Sequence, residues 1–452
     1  MKLNLHLLLL LFPCFLNAQW TNFCEGNTNA FIVKLAEHQD DIYAAGFFTQ
    51  ICGENTAYVG KWNGDEWDTV GDGLPDPVHN LRTINGTLYA AKYELQVDSN
   101  WVYYLDESSN TWQKLGGGFY LTTAIEGFSQ TPSIYDVIEY NGDIIVCGEF
   151  DRAGNEEVHG IARWDGNHWQ PMGTGLQNNI QNTAPVIFPH EMLIFENDLI
   201  VVGNFAQAGG VNANGVGRWN GTEWQAMGAG FNSTVYGIGI YNDELYVGGD
   251  FSQSGDASPL RIAKWDGSNW GDIGIGLDGF VHTIEEIDGQ LYALGGFDVM
   301  FVGAVGFANV NHIVQFDGEN WFGLDGGFNF DAEAIVPYNG GVLVGGGFDL
   351  AGGDVAVNSL AIWNGLTDLP VIFNRQSSIQ VSPNPSTGAI TISSEAIGTK
   401  EVFISIYNMA GQRVYLSEMF QKFLDLSHLP KGIYYLEVMM DGALRGQQFV
   451  LR

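Results

Sequence analysis

Residues 235–274 read VYGIGIYNDELYVGGDFSQSGDASPLRIAKWDGSNWGDIG, and this stretch decides the fold. Apolar residues alternate with polar or small ones in short runs, and Asn-Asp and Asp-Gly pairs mark tight turns between them. The pattern predicts four antiparallel strands near 235–241, 244–250, 260–265 and 270–274. The same grammar recurs along the chain. An aromatic pair around a turn appears as WNGDEW (62–67), LDESSNTW (105–112), WDGNHW (164–169), WNGTEW (219–224), WDGSNW (265–270), FDGENW (316–321) and the half-copy WNG (363–365). A second signature precedes each, as in DDIYAAGFF (40–48), GDIIVCGEF (142–150), NDLIVVGNF (197–205) and GGVLVGGGF (340–348). That makes seven copies, spaced about 45–57 residues apart.

One four-stranded meander cannot bury both faces, whereas seven arranged radially can. The expected fold class is therefore all-β: a seven-bladed β-propeller over residues 19–368. The last copy lacks its second Trp, and QWTNFCEGN (19–27) matches NWGDIGIGL (269–277). An N-terminal strand carrying Trp20 is thus expected to complete the seventh blade and close the ring without loose edges. The outer-strand column then reads Trp20, Trp67, Trp112, Trp169, Trp224, Trp270 and Trp321, expected to fill the space between blades. A Gly pair before the loop and an aromatic turn such as YLDESSNTWQKL (104–115) resemble Kelch-type repeats over residues 20–365. Residues 86–93 lack the Gly pair, and Leu105 and Phe316 replace the first aromatic.

The ends of the chain differ from the repeats. Residues 1–18, MKLNLHLLLLLFPCFLNA, carry Lys2, an apolar run and a small terminal residue, which predicts a signal peptide and export to the periplasm. No other apolar run approaches the length of a membrane-spanning helix. After a linker at 369–378, residues 379–452 predict about six short strands, a small β-sandwich. SPNPSTG (382–388), IYNMAGQRV (406–414), LPKGIYYLEV (429–438) and the closing FVLR resemble the type A C-terminal sorting domain of the type IX secretion system of Bacteroidetes. The resemblance rests on Pro383, Asn384, Pro385, Gly388, Tyr407, Gly411, Gly432 and Tyr434. It implies an Ig-like sandwich read by the type IX machinery at the outer membrane, so that the protein is secreted or attached to the cell surface.

The chain has 18 Lys+Arg against 52 Asp+Glu. Residues 19–374 hold 10 basic and 46 acidic residues, net −36, so the acidity belongs to the repeats. Such a balance argues against nucleic acid or an anionic membrane as partner. Beyond the leader, Cys24, Cys52 and Cys147 remain. Cys24 and Cys52 are a disulfide candidate, and Cys147 in DIIVCGEF reads as a buried thiol.

Aligning the copies on the Phe that ends the second strand, and copy two on its Leu88-Tyr89 pair instead, exposes one column at the start of the innermost strand: Val33, His79, Tyr135, His190, Tyr236, His282 and Glu333. Innermost strands ring the axis, so six of these hydrogen-bonding side chains are expected to gather at the channel mouth. Two readings fit: a ligand site, or polar groups that satisfy one another and water. Ring spacing opposes tight metal coordination, and no metal or cofactor is assigned. Asp72, Asp76, Asp151, Glu156 and Glu157 match no dense calcium loop and read as surface charge. There is no Gly-x-Ser-x-Gly elbow, His-Glu-x-x-His helix or Cys-x-x-Cys pair. The expectation is a non-catalytic binding protein with an extracellular glycan or protein ligand. The alternative is a hydrolase or lyase acting at the channel mouth, with Glu333 as the carboxylate.

Overall fold

The computed structural model describes residues 19–92, 98–122, 131–178, 187–302, 306–318, 320–364, 380–383, 386–393, 402–408, 413–417, 421–440 and 443–452. The leader at 1–18 and the linker at 369–378 fall outside them. Every regular element among the described residues is a β-strand.

Seven four-stranded antiparallel sheets follow one another along the chain. In the fifth copy the strands are Val235–Tyr241, Glu244–Gly249, Ile262–Trp265 and Trp270–Gly271, paired in sequence order. The seventh sheet takes Ala332–Tyr338, Gly341–Gly346 and Leu360–Asn364 from the end of the repeats. Its fourth strand is Gln19–Asn22, with Trp20 opposite Trp363. The first strand of each sheet contacts the first strand of the next, and that of the seventh contacts Ile32–His38 of the first, so the sheets close into a ring. Gln19–Asn22 pairs with Leu360–Asn364 and so covers the edge that the seventh sheet would otherwise present.

Seven apolar clusters hold the ring, each straddling two neighbouring sheets. A Trp of the outer column sits in every one. The indole N–H of Trp20, Trp112, Trp169, Trp224 and Trp270 donates to the carbonyl of Leu324, Val70, Gly117, Met172 and Met227, at 2.9–3.1 Å. Each of these carbonyls belongs to the preceding sheet's outer edge, so one side chain both fills the gap and fixes its spacing. Trp67 and Trp321 occupy the same place; Trp67 Nε1 is buried and has no hydrogen-bond partner among the described residues.

The Gly signature has an equally local cause. In every copy the first strand carries a bulge near its start, opposite the end of the second strand. Gly46, Gly148, Gly203, Gly249, Gly295 and Gly346 lie at that end. A Cβ there would collide with the carbonyl oxygen of Phe31, Ser133, Phe188, Thr234, Phe280 or Asp331 respectively. Backbone approaches backbone too closely for a side chain. Copy two, which lacks the Gly pair, places Lys92 opposite Val78 instead.

Among the described residues, five of the loops between second and third strands carry short two-stranded ribbons, as at Gln207–Ala208 with Val211–Asn212. A clamp repeats beneath them. Asn29, Asn232, Asp278 and Asn329 each accept two backbone N–H groups from residues 20 and 21 positions later, at 2.9–3.1 Å. This ties those four sheet-to-sheet connections to the loops above them and satisfies two backbone N–H groups at each.

The described residues within 380–452 form two antiparallel sheets, one of three strands and one of four. Ile390, Ile392 and Leu424 of one sheet share a core with Ile404, Ile406, Leu436 and Leu451 of the other. Tyr434 is buried and its hydroxyl donates to Pro430 O at 2.7 Å. Tyr407 and Gly432 lie on Val402–Asn408 and Gly432–Met440, and Pro383 and Gly388 flank the turn before Ala389–Ser393. Asn384, Pro385 and Gly411 fall outside the described residues.

Candidate functional site

The bulges build the site. The bulged residue of each is Val33, His79, Tyr135, His190, Tyr236, His282 or Glu333, skipped in every register between first and second strands. All seven line one axial cavity of about 140 Å³. The bulge turns two consecutive residues the same way, so Lys34, Asn80, Glu191 and Thr283 line it as well.

Around the mouth the rings touch in sequence. Phe47 and His79 are 5.9 Å apart between centroids, His79 and Tyr135 5.5 Å, Tyr135 and His190 5.5 Å, His190 and Tyr236 4.8 Å, Tyr236 and His282 5.6 Å. His282 Nδ1 lies 3.0 Å from Glu333 Oε2 and completes the arc. Most of these contacts are edge-to-face or tilted, the arrangement ring quadrupoles favour.

Burial sets the protonation of the mouth. Desolvation, with repulsion from His282, lowers His79 to about 4; desolvation, with His282 and His79, lowers His190 to about 3. Both rings are therefore neutral at physiological pH and can each donate and accept one hydrogen bond. Burial raises Glu333 against the opposing pull of His282. Glu191 is pushed up to about 7 by burial, with Lys34 pulling the other way.

Below the mouth lies an ionic layer. Asp136 is fully buried and accepts from Asn80 Nδ2 (3.0 Å), Val137 N (2.7 Å) and Met192 N (2.8 Å), with Arg82 Nη2 at 3.6 Å. Arg82 also donates to Met192 O at 3.2 Å. Lys34 Nζ stands 3.9 Å from both Glu191 and Glu285, and Glu191 accepts from Ile238 N at 3.0 Å. These contacts cross between sheets one to six and stitch the inner strands together at the axis.

Other residues singled out in the sequence have structural partners. Cys24 and Cys52 form a disulfide with Cα atoms 5.8 Å apart, a usual separation. Cys147 is buried, its thiol raised by burial and within 3.7 Å of Pro189 O. Asp76 pairs with Lys92 at 2.6 Å, Asp72 accepts from Trp112 N, and Asp151 accepts from Thr122 N. Glu156 and Glu157 are exposed. Among the described residues, no three His, Cys, Asp or Glu side chains are placed to hold a metal ion.

Glu149, which ends the second strand of copy three, is pushed up to about 7 by burial alone. Its folded value lies above that of the unfolded carboxyl. Its stabilising effect is therefore complete below about pH 4.5 and is lost as pH rises through about 7. Glu149→Gln removes that loss. Relative to the parent, it is expected to gain about 2 kcal/mol more at pH 8 than at pH 5 in urea unfolding.

Residues 380–452 match the family of secretion system C-terminal sorting domains. The chain thus carries a type IX export signal, directed to the cell surface or the medium. No curated protein matches the chain. Among solved structures, the extracellular domain assigned to a one-component system of B. thetaiotaomicron is 10% identical, with 96% of this chain and 57% of that one aligned and a TM-score of 0.46. PorZ, an essential surface component of the type IX secretion system of Porphyromonas gingivalis, is 14% identical over 91% of this chain and 64% of its own, TM-score 0.34. The β-propeller domain of the Trilobed protease from Pyrococcus furiosus is 11% identical over 74% and 96%, TM-score 0.42. This chain therefore spans less than two thirds of the first two of these structures. No helix among the described residues is long and apolar enough to cross a membrane.

Proposed function

We propose that this chain is a non-catalytic binding protein exported by the type IX system: a seven-bladed Kelch-like propeller over 19–368, followed by an Ig-like sorting domain over 379–452. It takes an extracellular ligand, a glycan or a protein, at the axial mouth. The observation that carries this reading is the meeting of one bulge residue from every copy in a single cavity. A scaffold that repeats its backbone seven times but changes the side chains it turns to the axis, at the bulge from Val through His and Tyr to Glu, carries that variation where a ligand would sit.

Binding is favoured over catalysis because the carboxylates nearby are already engaged. Asp136 accepts three protein hydrogen bonds, Glu191 accepts from Ile238 N, and Glu333 faces His282. One observation favours the second reading, a hydrolase or lyase: Glu191 held near 7 could serve as a general acid. The test is to screen the mature chain on glycan and protein arrays and, in parallel, on a hydrolase and lyase panel. The expected result is binding without turnover. Turnover of any polymer overturns the proposal.

A further inference from the structure

We infer that the axial mouth receives a positively charged organic group, an alkylammonium, held against ring faces and hydrogen-bonded by the acceptors beneath. This deepens the binding reading above and rests on it.

Size comes first. A cavity of about 140 Å³ is on the scale of one that admits a single benzene. It takes one side-chain head, not a run of sugar rings. The wall comes next. Tyr236 lines the cavity, edge-on to His190 at 4.8 Å and with one face stacked on His282 at 5.6 Å between centroids; a cation within about 6 Å of an aromatic face is attracted by the ring quadrupole.

The floor offers an acceptor without a donor. Asn80 is 6% exposed and lines the cavity. Its Nδ2 donates to Asp136, which fixes the amide orientation, since the flipped form would set oxygen against oxygen. Its Oδ1 is thereby left as a buried acceptor with no partner among the described residues. A buried acceptor of this kind is costly to leave unmet, and an N–H brought to it removes that cost.

Charge decides the sign. Four carboxyls, Asp136, Glu191, Glu285 and Glu333, face two cations, Lys34 and Arg82, in and beneath the mouth; burial favours the neutral forms of Glu191 and Glu333, and an incoming cation favours the charged ones. Arg82 is already committed to Asp136, and Lys34 is shared between Glu191 and Glu285. An anionic ligand would add to that excess, and a neutral one would gain nothing from it. The net charge of −36 over residues 19–374 draws cations toward the molecule as a whole.

The experiment is calorimetric titration of the mature full-length protein at pH 8 and low salt. The probes are n-butylammonium, its neutral and anionic counterparts n-pentanol and pentanoate, and the peptide Gly-Gly-Lys-Gly-Gly with blocked ends. Butylammonium and the peptide are expected to bind at least tenfold more tightly than pentanol or pentanoate. Tyr236→Leu and Glu333→Gln should each weaken the amine at least fivefold while retaining the parental melting temperature. A peptide at least tenfold tighter than butylammonium identifies a protein-borne lysine; equal affinities identify a free amine. Amines no tighter than pentanol, or affinity unchanged in both variants, overturn the inference. If the amines fail while an array ligand is lost in Tyr236→Leu, this inference falls and the binding reading stands. If no ligand of any class responds to either variant, both fall.

Discussion

Deleting residues 380–452 is expected to reduce the amount of protein reaching the surface and medium of a type IX host at least tenfold, with accumulation in the periplasm. The segment matches a sorting-domain family over its whole length. It also has a core of its own, since Ile390, Ile404, Leu424 and Leu436 cluster with one another and with no side chain of the ring clusters. The truncated chain keeps every residue of the seven sheets and their inter-sheet clusters. It should therefore remain folded, and its retention would report a missing address, not a collapsed cargo. Fractionation and immunoblotting of the truncated and full-length chains measure this. Undiminished surface or medium levels would show that export does not depend on the segment.

Trp270→Ala is expected to cost about 3–5 kcal/mol of stability, the usual range for deleting a large buried ring. Trp270 is 1% exposed and packs against Phe231 at 5.3 Å and Trp265 at 5.0 Å. Its cluster spans sheets four and five, with Val216 and Met227 on one side and Val247 and Ala263 on the other. Truncation leaves a cavity that a two-sheet contact cannot close without shifting the ring. It also strips Met227 O of its indole donor, a further loss of about 1 kcal/mol or more. Urea unfolding of the mature chain should show the midpoint fall with little change in slope. A loss below about 1 kcal/mol would mean the tryptophan column is not what couples the sheets.

Much of this architecture was legible because its causes are periodic. Trp at the outer strand and Gly opposite the bulge answer to constraints met in every copy, so both recur at the same offset. The copy that departs, with Lys92 in the Gly place, is where the repeat was hardest to align. The strand carrying Trp20 was legible for the same reason: the seventh copy lacked one Trp and the N-terminus supplied it. The column from Val33 to Glu333 was found by alignment alone, and the cavity gathers all seven.

The layer beneath the mouth was not legible. Lys34, Asn80, Asp136, Glu191 and Thr283 occupy one aligned position but share no chemistry, so no signature marks them. Strict strand alternation would also send them away from the axis, and only the bulge brings neighbours such as His79 and Asn80 to one cavity. The paired function of Asp136 and Arg82 depends on contacts between different sheets, at 56 and 110 residues' separation for their bonds to Met192. No local pattern announces such a contact. The clamp at Asn29, Asn232, Asp278 and Asn329 is periodic, yet Asn and Asp are common in loops and its 20-residue reach hides it.

The central claim is that the ring gathers its bulge residues into the surface that binds the ligand. The most direct measurement compares affinity for the strongest array ligand across three forms of the mature protein. These are the parent, the double variant His79→Ala/Tyr236→Ala, and Asp165→Ala in the exposed turn between third and fourth strands at the opposite end of copy three. The account predicts at least a tenfold loss for the double variant and none for Asp165→Ala, with both variants folded. Equal affinity in the parent and the double variant would contradict it.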